Sequence, residues 1–130
     1  MERKAINIPE VVSYEQYACT HATQCGNMIF VSGQASVDAQ GEVLHEGDIV
    51  AQCDRAFQNM RAVLKAAGAN MKDVVHYNIY VLSNDAWDKI APVRKRYFDT
   101  DPMPACVGVA VKELYPPGIL IEMDAIAMVG

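Results

Sequence analysis

A chain of 130 residues with 52% apolar and 21% charged side chains is sized for one globular domain, 1–130, with a single hydrophobic core. Its net charge of −5 and its lack of a Lys/Arg run argue against a nucleic-acid partner, which would need a phosphate-neutralising patch; the densest basic stretch, Arg94-Lys95-Arg96, reads as a solvated helix face. No run of about 18 apolar residues suggests a membrane span, no apolar segment follows the Met1-Glu2-Arg3-Lys4 start as a secretory signal would require, and Cys19, Cys25, Cys53 and Cys106, without an export signal, read as free thiols in the cytoplasm.

Residues 3–8 have the pattern of a short edge strand, and 18–25 that of a weakly patterned second one. Gly26-Asn27 is a hairpin turn signal; residues 28–32 then form a buried strand that Gly33 ends, and 38–41 form another turn. The clearest helix is 48–67, where Ile49, Cys53, Phe57, Met60, Leu64 and Ala67 recur at three- and four-residue spacing. Asp48 suits its N-cap, and Gly68 the left-handed position beyond its last turn. Residues 73–82 read as a strand. Ser83-Asn84 then caps a second helix running to about Phe98, with Trp87, Ile90, Val93 and Tyr97 inward and Pro92 expected to kink or split it. Two alternating strands, within 104–114 and 119–127, flank Tyr115-Pro116-Pro117-Gly118. The order favours an α+β layer with two helices on one face of a mixed sheet. Strands apolar on both sides leave the other face to be covered, and a second copy of the chain is the simplest cover.

The C-terminal strands carry the chemistry. Cys106, Gly108 and Ala110 share a strand face without bulk, which leaves space beside a thiol, with the acid Glu122 on the next strand. Cys106 is either a compact buried residue or a nucleophile that needs a neighbouring His or cation. Glu122 and Asp124 share a face, and two acids there raise one pKa toward proton-shuttle or water-activating work. Ser32 is either a donor to a ligand or the bonded end of its strand. His21 is either structural or the partner of Cys106. Cys19, His21 and Cys25 lack a fourth ligand and fit no zinc spacing, so no metal is expected. Trp87 reads as core. No catalytic Ser-His-Asp set, phosphate loop or dinucleotide fingerprint is present.

In order along residues 17–128 come Gly26-Asn-Met-Ile-Phe-Val-Ser-Gly33-Gln34, Ala51-Gln52 with Asn59 and Val63-Leu-Lys-Ala-Ala-Gly68-Ala69, Asp73-Val74-Val75, Tyr97-Phe98, Pro104-Ala105 and Ile121-Glu122-Met-Asp-Ala-Ile-Ala127. Together they resemble the RidA/YjgF family, also called endoribonuclease L-PSP-like, of reactive-intermediate deaminases. The resemblance implies a chorismate-mutase-like fold and a homotrimer whose inner barrel covers the second sheet face, with small-molecule clefts between subunits. It also implies hydrolysis of enamine or imine intermediates to a 2-keto acid and ammonia without metal or organic cofactor. By it, Glu122 and Cys106 are the candidate catalytic residues, and Ser32, Gly33, Cys19, His21, Tyr17 and Asp124 the candidate substrate contacts. The chain departs from the pattern where the family's deaminases place an arginine after Pro-Ala to grip the substrate carboxylate. Cys106 stands there, and no neighbouring arginine in the sequence replaces it. Cys19 aligns with a family tyrosine, with Tyr17 two residues earlier, and Ala91 falls where an asparagine sometimes stands. The resulting expectation is a deaminase-type hydrolase of altered specificity; the alternative is a non-catalytic trimer that binds a small metabolite or buffers reactive species through its thiols.

Overall fold

The computed structural model describes residues 2–130. Six strands, β1 (Arg3–Ile6), β2 (Ala22–Cys25), β3 (Met28–Ala35), β4 (Val74–Val81), β5 (Ala105–Ala110) and β6 (Ile121–Met128), form one sheet in the order β1-β2-β3-β6-β4-β5. Only β4 and β5 pair in parallel, so the sheet is mixed, as expected. The helices α1 (Ile49–Ala66) and α2 (Ala86–Tyr97) pack together against one face.

Helix α1 begins where Asp48 accepts a hydrogen bond from the Ala51 amide at 3.0 Å, and Gly68 follows it at φ +81°. Its buried face is the periodic one, with Cys53, Phe57, Met60, Val63 and Leu64 closed against the sheet. Helix α2 buries Ala86, Ile90 and Val93 and runs unbroken through Pro92. Pro92 is exposed, so the carbonyl deprived of its amide partner faces water, and the expected split does not occur.

Alternation sorts each strand into two faces. Tyr77, Ile79 and Val81 of β4 and Ile121, Met123, Ala125 and Ala127 of β6 are buried on the helix side. His76, Asn78, Tyr80, Glu122, Asp124, Ile126 and Met128 alternate with them and face away from the helices.

Three expectations are corrected. The two C-terminal strands are not neighbours, because β4 lies between β5 and β6. Cys106 is in register with Tyr77 and Glu122 with Tyr80, so thiol and acid are on opposite faces of the sheet. Nor is the small-residue face empty. The Trp87 indole of α2 lies on Gly108, where a Cβ would come within 2.8 Å of Cη2. Finally, β3 does not stop at Gly33 but continues to Ala35 through a register shift between Val31 and Gln34. An irregularity of this kind re-aims the chain locally, here at Ser32-Gly33.

Candidate active site

A cleft of about 430 Å³ opens beside this irregularity, between the 14–19 turn, the Ser32-Gly33 segment, the Tyr115-Pro116 loop and Glu122. The turn contains a short 3₁₀ stretch, Glu15–Tyr17, ended by Ala18 in the left-handed region at φ 59°, which places Tyr14, Tyr17 and Cys19 on the cleft wall.

Glu122 lies across the backbone of Gly33, where any Cβ would meet its Oε2 at 2.8 Å. A side chain at position 33 would displace the carboxylate, so glycine there keeps Glu122 in this place. Burial, and after it the charge of Asp124, raises the Glu122 carboxyl above its ordinary value. No cation pairs with it among the described residues. Tyr14, which the sequence reading did not single out, donates from its hydroxyl to the Gly33 carbonyl at 2.8 Å. Burial and the nearby Glu122 charge raise its phenol well above the ordinary value, so it stays a neutral donor.

Of the other expected residues, Tyr17 and Cys19 line the cleft, Tyr17 in an edge contact with Tyr115 at 6.0 Å between centroids. Ser32 also lines it, but its hydroxyl proton is committed to the Thr20 carbonyl at 2.6 Å, so toward a ligand its oxygen can only accept. His21 is not at the cleft surface. It is 1% exposed, its Nδ1 accepts from the Ile8 amide at 3.0 Å, and its Nε2 bonds the Val12 carbonyl at 2.9 Å. With Nδ1 accepting, Nε2 carries the proton. The ring pins the 8–12 segment and backs Tyr14 edge-on at 4.6 Å, which is a supporting role. Asp124 does not line the cleft either. It accepts from Asn78 Nδ2 at 2.9 Å and the Tyr80 hydroxyl at 3.0 Å, and it acts on Glu122 through its charge.

Helix α1 fixes both walls of the cleft through two buried amides. Asn59 Nδ2 donates to the Ala35 and Val37 carbonyls at 2.9 and 3.0 Å. Gln52 donates to the Gly118 carbonyl at 2.9 Å and accepts from the Leu120 amide at 2.8 Å. Cys106 is elsewhere, on the helix face of edge strand β5, where it receives a contact from Arg94 Nη2 at 3.3 Å. The Arg94-Lys95-Arg96 run is thus not uniformly solvated, since Arg94 reaches Cys106 and Tyr77 while Arg96 pairs with Asp54 at 3.0 Å. Arg94 was legible in principle, since it follows Trp87 and Ile90 along one helix face. Tyr14 was not, because an irregular turn has no periodicity to read.

The described residues contain no group of three or more His, Cys, Asp or Glu able to hold a metal, and no helix long and apolar enough to cross a membrane.

The fold and this cleft are those of a small α+β protein with a carboxylate-bearing site at a strand irregularity. The profile of the endoribonuclease L-PSP family matches residues 9–129, and the chain belongs to this family, the RidA/YjgF proteins. It is 34% identical over 110 residues to a 2-iminobutanoate/2-iminopropanoate deaminase of Dermatophagoides farinae, covering 85% of this chain and 84% of the relative. It is 31% identical over 127 residues to the 3-aminoacrylate deaminase RutC of Acinetobacter baylyi, covering 97% and 98%. The crystal structure of RidA from an Antarctic Psychrobacter superposes with a TM-score of 0.86 at 27% identity, over 97% of this chain and 99% of that one.

Proposed function

We propose that the protein is a metal-independent enamine/imine deaminase whose reaction takes place in the Glu122 cleft. The observation that carries this reading is a carboxylate held against glycine backbone, raised by burial and without a counter-ion, at the wall of a small-molecule cleft. A carboxyl group raised in this way is suited to proton transfer. Glu122 takes a proton from a water as that water adds to the imine carbon, and the nitrogen is protonated. Collapse of the carbinolamine then breaks the C–N bond, so that imine and water become a carbonyl compound and ammonia. Tyr14, neutral and donating to Gly33, fixes the backbone on which Glu122 rests, and Tyr17 and Tyr115 flank the cleft mouth. The relatives named as imine and aminoacrylate deaminases support the chemistry. Cys106, in place of the arginine the resemblance leads one to expect, supports a substrate range different from theirs.

The proposed working form is a cytoplasmic homotrimer. The apolar side chains left open on the sheet face, Phe30 at 42% and Val107 at 52% exposure among them, support burial against further copies, with the cleft completed at the subunit boundary. The test is imine hydrolysis with the imine generated in situ by dehydration of threonine or serine. Acceleration over buffer, lost in Glu122→Gln, is expected; a rate equal to buffer with both imines removes that substrate class. The exposed thiols of Cys19 and Cys106 favour a second reading, a thiol-buffering binder, which predicts ligand or electrophile uptake without turnover.

A further inference from the structure

Glu122 and Asp124 share one face of β6, yet their surroundings differ. Asp124 is held at both oxygens: Asn78 Nδ2 donates to Oδ1 at 2.9 Å and the Tyr80 hydroxyl to Oδ2 at 3.0 Å. Among the described residues no donor reaches Glu122, whose carboxyl lies against Gly33 instead. Register accounts for the difference. Asn78 stands directly opposite Asp124 and Tyr80 directly opposite Glu122, so Tyr80 faces one acid and gives its hydroxyl to the other. On the opposite flank the irregularity of β3 sets Ser32 and Gly33 together against Asp124, which brings to Glu122 a residue with no side chain.

The two donors are fixed in their turn. His76 Nε2 lies 3.2 Å from Asn78 Oδ1. An ionised carboxylate only accepts, so with Asp124 ionised Asn78 presents Nδ2 to it and Oδ1 to His76, whose Nε2 then carries a proton. Burial, the bond to Asp124 and the charges of both acids raise the Tyr80 phenol, so it stays a protonated donor at neutral pH. The titratable groups facing the two acids are His76 and Tyr80 from β4, Tyr14, Tyr17 and Cys19 from the 14–19 turn, and Tyr115 from the loop, with none from β3.

Two neighbouring carboxylates in partly buried surroundings resist a double charge and titrate as a pair. A proton on Asp124 would displace one of its two donors, whereas a proton on Glu122 displaces none. We propose that Asn78 and Tyr80 are positioning residues: by occupying both oxygens of Asp124 they send the first proton taken up by the pair to Glu122, which makes Glu122 its proton-transferring member. The deaminase reading supplies only the use made of that proton, since its placing is read without substrate.

The experiment is carboxyl ¹³C NMR of the full chain labelled at Asp and Glu, followed across pH, with the two signals assigned through Glu122→Gln and Asp124→Asn. In the unaltered protein Glu122 is expected to take up its proton at higher pH than Asp124. Tyr80→Phe, which keeps the ring and removes the donor, is expected to draw the two midpoints together, Glu122 moving down and Asp124 up. Asn78→Leu should do the same from the other oxygen. Asp124 protonating first in the unaltered protein, or midpoints unmoved in a folded Tyr80→Phe protein, overturns the proposal; the first of these needs no substitution and holds if the variants fold poorly. In imine hydrolysis, Tyr80→Phe should shift the acid limb of kcat/KM to lower pH, whereas a merely structural loss would lower the rate at every pH and leave the limb in place. Midpoints that converge in a protein without imine hydrolysis would uphold the placing of the proton and remove the deaminase reading alone.

Discussion

Glu122 pays in stability for its position. Its surroundings favour its neutral form, and the folded-state pKa is raised by burial and by Asp124. Because the folded chain holds this proton more tightly than the unfolded chain does, the associated stabilisation is fully present below the unfolded pKa. It is lost as pH rises through the folded pKa. Glu122→Gln removes the charge and nearly keeps the shape. Thermal unfolding across pH should therefore show the variant more stable than the parent at neutral pH, with the difference closing as pH falls below the ordinary carboxylate range. The same variant should lose on the order of 10²–10⁴-fold in imine hydrolysis, the usual contribution of a positioned acid or base. A variant that is less stable at neutral pH would mean that the carboxylate has a structural partner. Gly33→Ala tests placement instead of charge. Its Cβ would stand 2.8 Å from Oε2, the carboxylate must move, and kcat should drop on the order of 10²-fold, as for a misplacement of about 1 Å.

At the scale of elements, α1 holds both cleft walls through Asn59 and Gln52. Asn59→Leu keeps the volume but leaves the Ala35 and Val37 carbonyls without their donor, at a cost of about 1–3 kcal/mol for each buried group. Urea unfolding should show that loss, and an unchanged midpoint would mean water replaces the amide without penalty. This helix also shows where sequence reading stops. The spacing of Cys53, Phe57, Met60 and Leu64 gave its buried face directly, because helical period is a local property. The partners of Gln52 are not local, since the Gly118 carbonyl it binds is 66 residues away. Sheet order is non-local in the same way. Alternation within β5 and β6 correctly gave the faces of each strand, but nothing in either strand announces that β4 inserts between them, so Cys106 and Glu122 looked like neighbours when they are not. Likewise a face of Cys106, Gly108 and Ala110 looks vacant until α2 lays Trp87 on it. The family motifs pointed to Glu122, Gly33 and Tyr17, which line the cleft, whereas Tyr14 becomes visible only in three dimensions.

For the molecule as a whole, the sheet has a helix layer on one side only. Its other side combines exposed apolar residues, Phe30, Val107, Val109 and Met128, with a polar row in which His76 Nε2 lies 3.2 Å from Asn78 Oδ1 and both Asn78 and Tyr80 donate to Asp124. Water over such a face would leave these apolar side chains open on both sides of the polar row, and a closed ring of identical copies would cover them without creating a new edge. Light scattering should therefore give the mass of three chains. Phe30→Glu together with Met128→Glu, which places charge on the proposed contact, should shift the mass toward one chain. A parent mass of one chain would remove the assembly, and a mass of two would remove the ring of three. Glu122 and Asp124 are on this same side of the sheet, so dissociation hydrates them. The burial within its own chain that raises Glu122 then remains, but any further burial that assembly adds is lost, and whatever activity the dissociated variant keeps should have its acid limb at lower pH than the parent's. An acid limb that stays in place while the assembly falls apart would show that Glu122 owes its tuning to its own chain alone.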